Sequence, residues 1–398
     1  MSIFVLYRAI PIQGSLPPIT QNTVMSQKPK VKFTNKDKSK FFSTLTNNVN
    51  AYFTENKISK HANAGMVAKT ITMMAAYFVP YSIMLIVHVP LAPMFALFFL
   101  MGTAMAGIGM SVMHDANHNA YSSNKTVNKF VGYSLNLMGG AVFNWKLQHN
   151  MLHHTYTNIN GMDDDIDGAS MMRFSPARKY RKIFRFQYIY AFFFYAILSL
   201  HWITGKDFLQ LINYRKNGVN KESKAGIFRQ FATLLWIKGF YYFYMLFVPI
   251  YFFHYSAGPF ILGFVLLHVV CGLILSVVFQ LAHTVHGTTF PEPNDKSEIE
   301  NDWAIHQMNT TADFARDNAF VNWYVGGLNF QVEHHLFPGI CHVHYRAISD
   351  IVKKTAEEFD IPYLDNPTFW GAVGSHISIL KYFGSVENPE LHPGNIAA

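Results

Sequence analysis

Histidine is concentrated in three short clusters of this sequence. The clusters are HDANH (114–118), HNMLHH (149–154) and QVEHH (331–335). His114 and His118 are four residues apart, as are His149 and His153, so on a helix each pair projects from one face. Two imidazoles on adjacent turns can hold one metal ion between them. The clusters therefore predict metal binding.

One more histidine, His283, lies at the end of a long uncharged run, in FQLAHTVHG, and brings the candidate imidazoles to eight. Eight are too many for one ion and suit two, and neutral imidazole favours zinc, copper or iron. A closed zinc site usually recruits thiolates, but neither Cys271 nor Cys341 belongs to a cluster. The residues therefore favour redox iron, which can activate dioxygen and attack an unactivated C–H bond.

The elements that must position these histidines are apolar. Half of the 398 residues are hydrophobic and 14% are charged, against roughly 25% charged in soluble domains. Residues 70–113 and 239–282 contain no Lys, Arg, Asp or Glu, and each run is long enough for two passes of about 20 residues. HVPLAP (88–93) and HYSAGPF (254–260) break the runs near their middles. The sequence predicts two helical hairpins, with spans near 70–88, 93–113, 235–253 and 261–282.

Charge predicts the orientation of these hairpins. Twelve Lys or Arg residues fall within 173–229, and neither hairpin tip carries one. The tips are therefore expected outside, with both termini and all three clusters in the cytoplasm. A fifth apolar segment, 187–203, is predicted to be an interfacial or buried helix, because a further crossing would separate the clusters. The net charge of +8 is then explained by membrane orientation and by affinity for acidic lipid headgroups, and no nucleic-acid binding is needed to account for it.

The chain divides into four predicted regions. Residues 1–68 form a cytoplasmic N-terminal segment, of which 1–24 differ in texture from the basic stretch that starts at Met25 and are expected to precede the true start. Residues 69–283 form the membrane core, 284–365 a cytoplasmic helical cap with the third cluster, and 366–398 a tail. The expected fold is an all-α integral membrane protein, and its two cysteines are expected to be free thiols.

With this order and placement, the HxxxH, HxxxHH and QxxHH boxes resemble the membrane fatty acid desaturase family. Gln331, in place of the first histidine of the third box, is similar to the front-end desaturases, and VGGLNFQVEHHLFPGICHVHY resembles the linoleoyl-CoA desaturase-like branch. The resemblance implies a di-iron centre with Gln331 near or in its ligand shell. The implied ligands are His114, His118, His149, His153, His154, His283, His334 and His335.

Other residues near the boxes are candidates for supporting roles. Asp115, Asp165 and Glu333 are expected to accept the second ring N–H of ligating imidazoles, and His306 is a weaker candidate for the same layer. Simple solvation is the alternative for each carboxylate. The isolated histidines are expected to have no part in the site; they are His88, His201, His254, His268, His376 and His392.

The implied activity is that of an O2-dependent desaturase that inserts a cis double bond into an acyl-CoA or acyl lipid. The only echo of a haem motif is HPGN (392–395), so electrons are expected from a separate ferredoxin, or from a free cytochrome with its reductase. Two alternatives stay open: a related di-iron lipid hydroxylase and a metal-binding transporter without redox chemistry. The uncharged spans disfavour the transporter.

Overall fold

The structure is a computed structural model that describes residues 31–35, 39–167 and 171–387. The predictions for residues 1–24, the HPGN motif and His392 lie outside these ranges. The described chain is mainly helical. It contains five helices that are long and apolar enough to cross a membrane, which we label α1 (Ala64–Ile86), α2 (Leu91–Asn117), α3 (Lys182–Lys216), α4 (Lys224–Phe252) and α5 (Ala257–His283).

Four of these helices correspond to the predicted spans, and local sequence explains where they begin and end. The Asn63 side chain caps α1 by accepting a hydrogen bond from the Met66 backbone N–H, and Ser223 caps α4 in the same way. Between α1 and α2 lies Pro90, which suits the residue just before a helix because its missing N–H would have no intrahelical partner there. The breaks therefore fall at the Pro-marked segments.

The one long helix that was not predicted as a span is α3. It covers the segment 187–203, for which the sequence predicts an interfacial or buried helix. It is longer than expected and, by length and composition, is itself a candidate span, so the described residues hold five candidates where four were predicted. A π-helical stretch, Trp202–Lys206, divides it. Its outer face exposes large apolar side chains such as Ile189 and Phe193.

Helix α5 packs closely against both α2 and α3. A Cβ atom added at Gly102 would lie 2.5 Å from the Leu267 backbone oxygen, and one added at Gly272 would lie 2.7 Å from the Ala196 backbone oxygen. Without these glycines the backbones could not approach so closely, as is common between membrane helices. This packing fixes the ends of α2 and α5, where His114 and His283 lie.

The remaining helices form a second layer at the end of the bundle that carries the histidines. Phe41, Leu45, Met308 and Val352 belong to a separate buried core there. The helices outside the five long ones are Phe41–Glu55, Lys125–Gly132, Ser134–Leu137, a continuous helical stretch over 142–156, Asp164–Asp167, Trp303–Thr310, Ala319–Tyr324, Gln331–Leu336, the 3-10 turn His342–His344, Tyr345–Glu358 and Phe369–Ser385.

Two helices of this layer come from the predicted N-terminal segment and the predicted tail. Helix Phe41–Glu55, from the predicted N-terminal segment, packs into the same core as the third histidine cluster. Helix Phe369–Ser385, from the predicted tail, packs its Ile379 and Phe383 against α3. Helices near either end of the sequence can complete a core as well as internal ones. Predicted regions that follow one another along the sequence do not show such packing.

Short strands are the exception to the all-α expectation. β1 (Lys32–Phe33) pairs in parallel with β2 (Glu298–Ile299), and β3 (Asp313–Phe314) pairs in parallel with β4 (Asp365–Asn366). Each pair is two residues long. They join distant segments around the third cluster but do not change the mainly helical class of the fold.

Candidate metal centre

The first histidine cluster lies at the end of α2. His114 is in its last turn, and the backbone N–H of His118 bonds to the His114 carbonyl oxygen, which continues the helical path. A π-helical stretch, Ile108–Val112, precedes the cluster. Such stretches often mark functional sites. Here it precedes the turn from which both imidazoles project toward the other clusters.

The second cluster lies on a π-helix, Lys146–His153. In this geometry the backbone hydrogen bonds run from i to i+5, so the turn is wider and residues five apart as well as four apart lie near one face. His149 and His154 accordingly face each other, with their Nε2 atoms 3.3 Å apart. The α-helical spacing that pairs His149 with His153 in the sequence prediction is therefore not the only alignment in this cluster.

The eight predicted histidines come together in one buried region. His114, His118, His149 and His334 form one group, and His153, His283 and His335 form another; within each, one ring nitrogen per residue lies within 4.8 Å of the others. The ring of His154 lies between the groups, 4.6 Å from that of His334 and 4.5 Å from that of His335. His149 and His153 are in different groups, although they share a third one with Asp165. Two adjacent ligand sets result.

The ring nitrogens of this region are short of hydrogen-bond partners. Nε2 of His118, His153, His283, His334 and His335, and Nδ1 of His154, are buried and have no partner among the described residues. His114 Nε2 lies 3.1 Å from His149 Nε2. A buried polar group without a partner costs about 1–3 kcal/mol, and a metal ion bound here would give each nitrogen a partner. The donor set therefore fits metal.

The second ring nitrogen of several ligands is held by the protein. His153 Nδ1 donates to Asp163 Oδ2 at 3.1 Å, His335 Nδ1 donates to Gln307 Oε1 at 2.7 Å, and His283 Nδ1 donates to the Thr310 carbonyl oxygen at 3.2 Å. These contacts select the tautomer that leaves Nε2 free and directed into the centre.

Burial lowers the pKa of His118, His149, His154, His334 and His335 well below its usual value. The neutral form, which binds metal, is therefore the stable one at these positions. Burial also lowers the pKa of His153, but the charges of Asp163 and Asp165 outweigh it and raise the pKa to about 9. Metal binding at His153 would release that proton.

The predicted supporting residues have different surroundings. Asp165 lies 3.3 Å from His153 Nδ1 and accepts a hydrogen bond from Gln148. Asp115 lies 4.0 Å from His114 Nδ1 but bonds more closely to His342. Glu333 accepts a hydrogen bond from Tyr363.

Two other predicted residues, His306 and Gln331, are also buried. His306 lies outside the ligand groups, and its ring packs on that of Phe33 at 5.0 Å. Gln331 is 1% exposed, and its Nε2 has no partner in the described chain. It lies on the same short helix as His334 and His335.

A cavity of about 610 Å³ opens beside the centre. It is lined by His149, His153 and His283 on one side and by apolar side chains of α3 and α5, including Phe194 and Phe279, on another. Ligand pockets of small molecules commonly measure about 300–1,000 Å³. The cavity is therefore large enough to hold a long apolar molecule against the histidines.

Comparison with known proteins identifies this arrangement. The family model for fatty acid desaturase matches residues 90–367. The chain is 35% identical to the sn-1 linoleoyl-lipid 6-desaturase of Synechocystis sp. over 89% of this chain and 98% of that protein. It is 33% identical to the acyl-lipid (8-3)-desaturase of Physcomitrium patens over 91% of this chain and 75% of that protein. The chain belongs to the fatty acid desaturase family.

The desaturase is thus an oxidoreductase of lipid metabolism, and its relatives support a front-end-like member of the family. The acyl-lipid (8-3)-desaturase of Mortierella alpina, 30% identical over 86% of this chain and 78% of that protein, agrees. The hydroxylase and transporter alternatives are not favoured, since these relatives are named desaturases.

Sequence reasoning missed two residues that hold the desaturase's histidines. Asp163 begins the DDDID stretch, from which the prediction took Asp165 instead. Gln307 also accepts a hydrogen bond from Thr157 Oγ1 at 2.9 Å, so it joins the second and third clusters. Its position beside His306, itself a candidate, is the only signal that could have pointed to it.

The isolated histidines of the desaturase have other surroundings where the structure describes them. His88, His201, His254, His268 and His376 lie outside the ligand groups. His376 Nε2 contacts Tyr195 Oη at 2.8 Å, and its Nδ1 donates to the Thr284 carbonyl oxygen at 2.8 Å. Burial lowers the pKa of His376 to about 4. Both of its nitrogens are satisfied by protein groups, which is how a structural core histidine is held.

Proposed function

We propose that this desaturase binds two iron ions through the eight clustered histidines and uses dioxygen to insert a cis double bond into the acyl chain of a membrane lipid. The observation that carries the proposal is the double set of buried imidazoles with free nitrogens directed toward each other. Neutral imidazoles without thiolates suit iron. The site for an acyl chain is the adjoining cavity.

Two iron ions would supply the activation of dioxygen that side chains alone lack. In the overall reaction a CH2–CH2 unit, O2, two electrons and two protons give a CH=CH unit and two waters. The residues of the chain orient the imidazoles, through Asp163, Gln307 and Thr310, and hold the acyl chain beside them. Positioning of the reacting carbons is the main contribution of the protein.

The substrate class follows from the relatives and from Gln331. A front-end desaturase acts between an existing double bond and the carboxyl end, and one relative is named for linoleoyl lipid and position 6. We therefore assign an already unsaturated acyl lipid as the substrate. Expression in a host without polyunsaturated lipids, fed defined fatty acids, tests this assignment when the position of each new double bond is mapped by mass spectrometry. A hydroxylated product would contradict it.

The proposed topology has four crossings, with α3 at the cytoplasmic interface. Both halves of α3 contact the segment that follows the second cluster: Gln187 Oε1 accepts a hydrogen bond from the Arg173 backbone N–H at 2.7 Å, and Tyr214 Oη donates to Asp164 at 2.5 Å. A crossing helix would need a partner segment that also crosses, but this one is short and polar. Tags at Gly218 and at both termini are expected in the cytoplasm, and a tag at Gly258 on the far side.

Electrons are proposed to come from a separate ferredoxin or cytochrome. The exposed basic side chains at the start of α3 offer a docking surface for an acidic donor; they are Lys179, Arg181, Lys182 and Arg185. Adding each reduced donor to purified protein and measuring product separates the two candidates. Activity without any added donor protein would exclude both.

A further inference from the structure

A second, smaller cavity lies deeper in the bundle than the one beside the histidines. Its volume is about 60 Å³, and Met105, Met138, Cys271 and Leu275 are among the side chains that line it. None of its lining residues is charged. A space of this size and character has room for the end of an apolar chain rather than for a polar headgroup.

Three side chains line both cavities: Trp145, Trp202 and Phe279. They form the boundary between the two spaces, and we call them the aromatic constriction. Trp145 stacks on the His149 ring at 4.5 Å, and Phe279 meets the same ring edge-on at 6.2 Å. The constriction therefore lies directly beside a predicted metal ligand.

The protein holds the constriction with a buried ion pair. Lys238 Nζ donates to Asp207 Oδ2 at 2.5 Å and to the Trp202 carbonyl oxygen at 2.8 Å. Trp202 Nε1 donates to Asp207 Oδ1 at 3.2 Å, and Asn144, which precedes Trp145, donates to the Asp207 carbonyl oxygen at 2.8 Å.

Both tryptophans are therefore tied to one fixed charge pair. A buried ion pair is expensive to desolvate and contributes little net stability. Its placement here favours a role in positioning the aromatic side chains.

The two cavities, one on each side of the constriction, also differ in polarity. The larger one is lined by Asp163, Asp164, Lys206 and Gln210 as well as by apolar residues, whereas the smaller one is nearly all apolar. An acyl lipid that enters with its methyl end first would keep its polar part in the larger cavity. Its terminal carbons would then meet the constriction.

We propose that the aromatic constriction and the smaller cavity set the acyl-chain length that this desaturase accepts, by admitting only a short methyl end past Trp202 and Phe279. The proposal rests on the function proposed above and adds the residues that determine specificity. A pocket that gains or loses one methylene of space commonly changes selectivity by about 10–200-fold.

Two substitutions change the available space in opposite directions. Gly109→Ala adds a methyl group to the wall of the smaller cavity, and its Cβ would lie 3.4 Å from Leu275 Cδ2, an ordinary contact. Trp202→Leu removes a ring from the constriction, and Trp202→Phe keeps a ring as a conservative partner. Trp236→Leu is the matched control, because Trp236 is an exposed aromatic residue of α4, remote from both cavities.

The experiment feeds each variant a series of acyl chains that differ by two carbons and measures product for each length. Gly109→Ala is expected to lower turnover of the longest accepted chain relative to the next shorter one by about 10-fold, and Trp202→Leu to raise it. Trp236→Leu should keep the wild-type ratio, and Trp202→Phe, which keeps one ring but loses the bond to Asp207, should shift it in the same direction as Trp202→Leu but by less. Purified variants should also show the same shifts in thermal stabilisation by bound chains, which does not require turnover.

Unchanged length ratios in both Gly109→Ala and Trp202→Leu, with normal iron content, would overturn the inference while leaving the proposed function intact. Wild-type protein that makes no double bond from any chain would instead count against the proposed function. Shifts of equal sign in the two variants would show a general packing effect and would also overturn the inference.

Discussion

Two clusters of buried histidine and acidic side chains lie next to each other in this desaturase, and they differ in how their atoms are satisfied. In the first, the ring nitrogens of the eight ligand candidates face one another, and six of them have no partner in the described chain. In the second, formed by Asp115, Cys341, His342 and Lys69, the His342 ring is bonded at both nitrogens: Nδ1 to Asp115 and Nε2 to Lys69, each at 2.7 Å.

Residue types alone would make both clusters candidate metal sites, since Asp115, Cys341 and His342 also group within ligand distance. The second cluster instead has an internal cation, the ammonium of Lys69. It joins the start of α1, the end of α2 and the segment after the third box. The comparison teaches that several unsatisfied nitrogens facing one another, rather than the presence of histidine, distinguish a metal centre from a buried crosslink.

The largest effect is expected from removing a ligand of the unsatisfied cluster. His335→Ala should lose iron from the second group and abolish desaturation, because the remaining His153 and His283 leave that ion too few ligands. Metal analysis of purified protein and product analysis by gas chromatography measure both effects. His376→Ala is the control: it should retain its iron, although Tyr195 loses a partner. Full activity with zinc in place of iron would refute the redox assignment.

A smaller effect is expected from the groups that orient the ligands. Gln307→Leu removes the closer acceptor of His335 Nδ1 and leaves only Thr157 Oγ1 at 3.3 Å, so the ring is held less firmly and iron affinity should fall by about 10–100-fold. Asp163→Asn should act in the same direction through His153. Gln230→Leu, which removes an amide that bonds only to Asn220 among the contacts described, should leave the affinity unchanged. Competition with a chelator gives the affinities.

The sequence predicts the three boxes and their convergence because ligand types at helical spacing carry a recognisable pattern. It does not predict which histidines share an ion, since the π-helix at Lys146–His153 changes the alignment of His149 with His153 and His154. Gln307 was missed because its contact to His335 joins separate helices. His342 was missed as a crosslink because its partner Lys69 is 273 positions away.

The length of α3 was missed for a related reason. Its second half, from Asp207 onward, contains charged and amide side chains that a search for apolar spans excludes. In the structure Asp207 and Gln210 face inward, bonded to Lys238 and to Gln148. Buried polar partners thus extend a helix that the apolar pattern alone ends near residue 203.

A moderate effect on turnover is expected at Gln331, which lies on the same helix as His334 and His335. If its carbonyl oxygen contributes to an iron ion, directly or through water, Gln331→Ala should lower turnover by up to about 10-fold while the protein stays folded. Gln331→His should keep the iron and part of the activity. Near-normal turnover with a full iron complement in Gln331→Ala would remove this residue from the site.

The smallest effect on turnover is expected in the satisfied cluster, which is the sharpest test of the comparison. His342→Gln keeps an acceptor for the Lys69 ammonium. It removes the ring Nδ1–H that donates a hydrogen bond to Asp115. Asp115 retains the Cys341 thiol at 3.0 Å and the His342 backbone N–H at 3.2 Å. We therefore expect a loss of about 1–3 kcal/mol in the free energy of unfolding, with unchanged iron per folded chain. Thermal unfolding in detergent and metal analysis measure the two quantities.

Lys69→Met, alone and combined with His342→Gln, separates the crosslink from a metal role. The two substitutions should not be additive in stability, because the His342 ring links Lys69 and Asp115 in one hydrogen-bonded cluster. Neither should change the iron content, since His342 groups with Asp115 and Cys341 and not with the eight ligand candidates. Loss of iron in His342→Gln at normal stability would place His342 among the ligands and would remove the distinction between the two clusters.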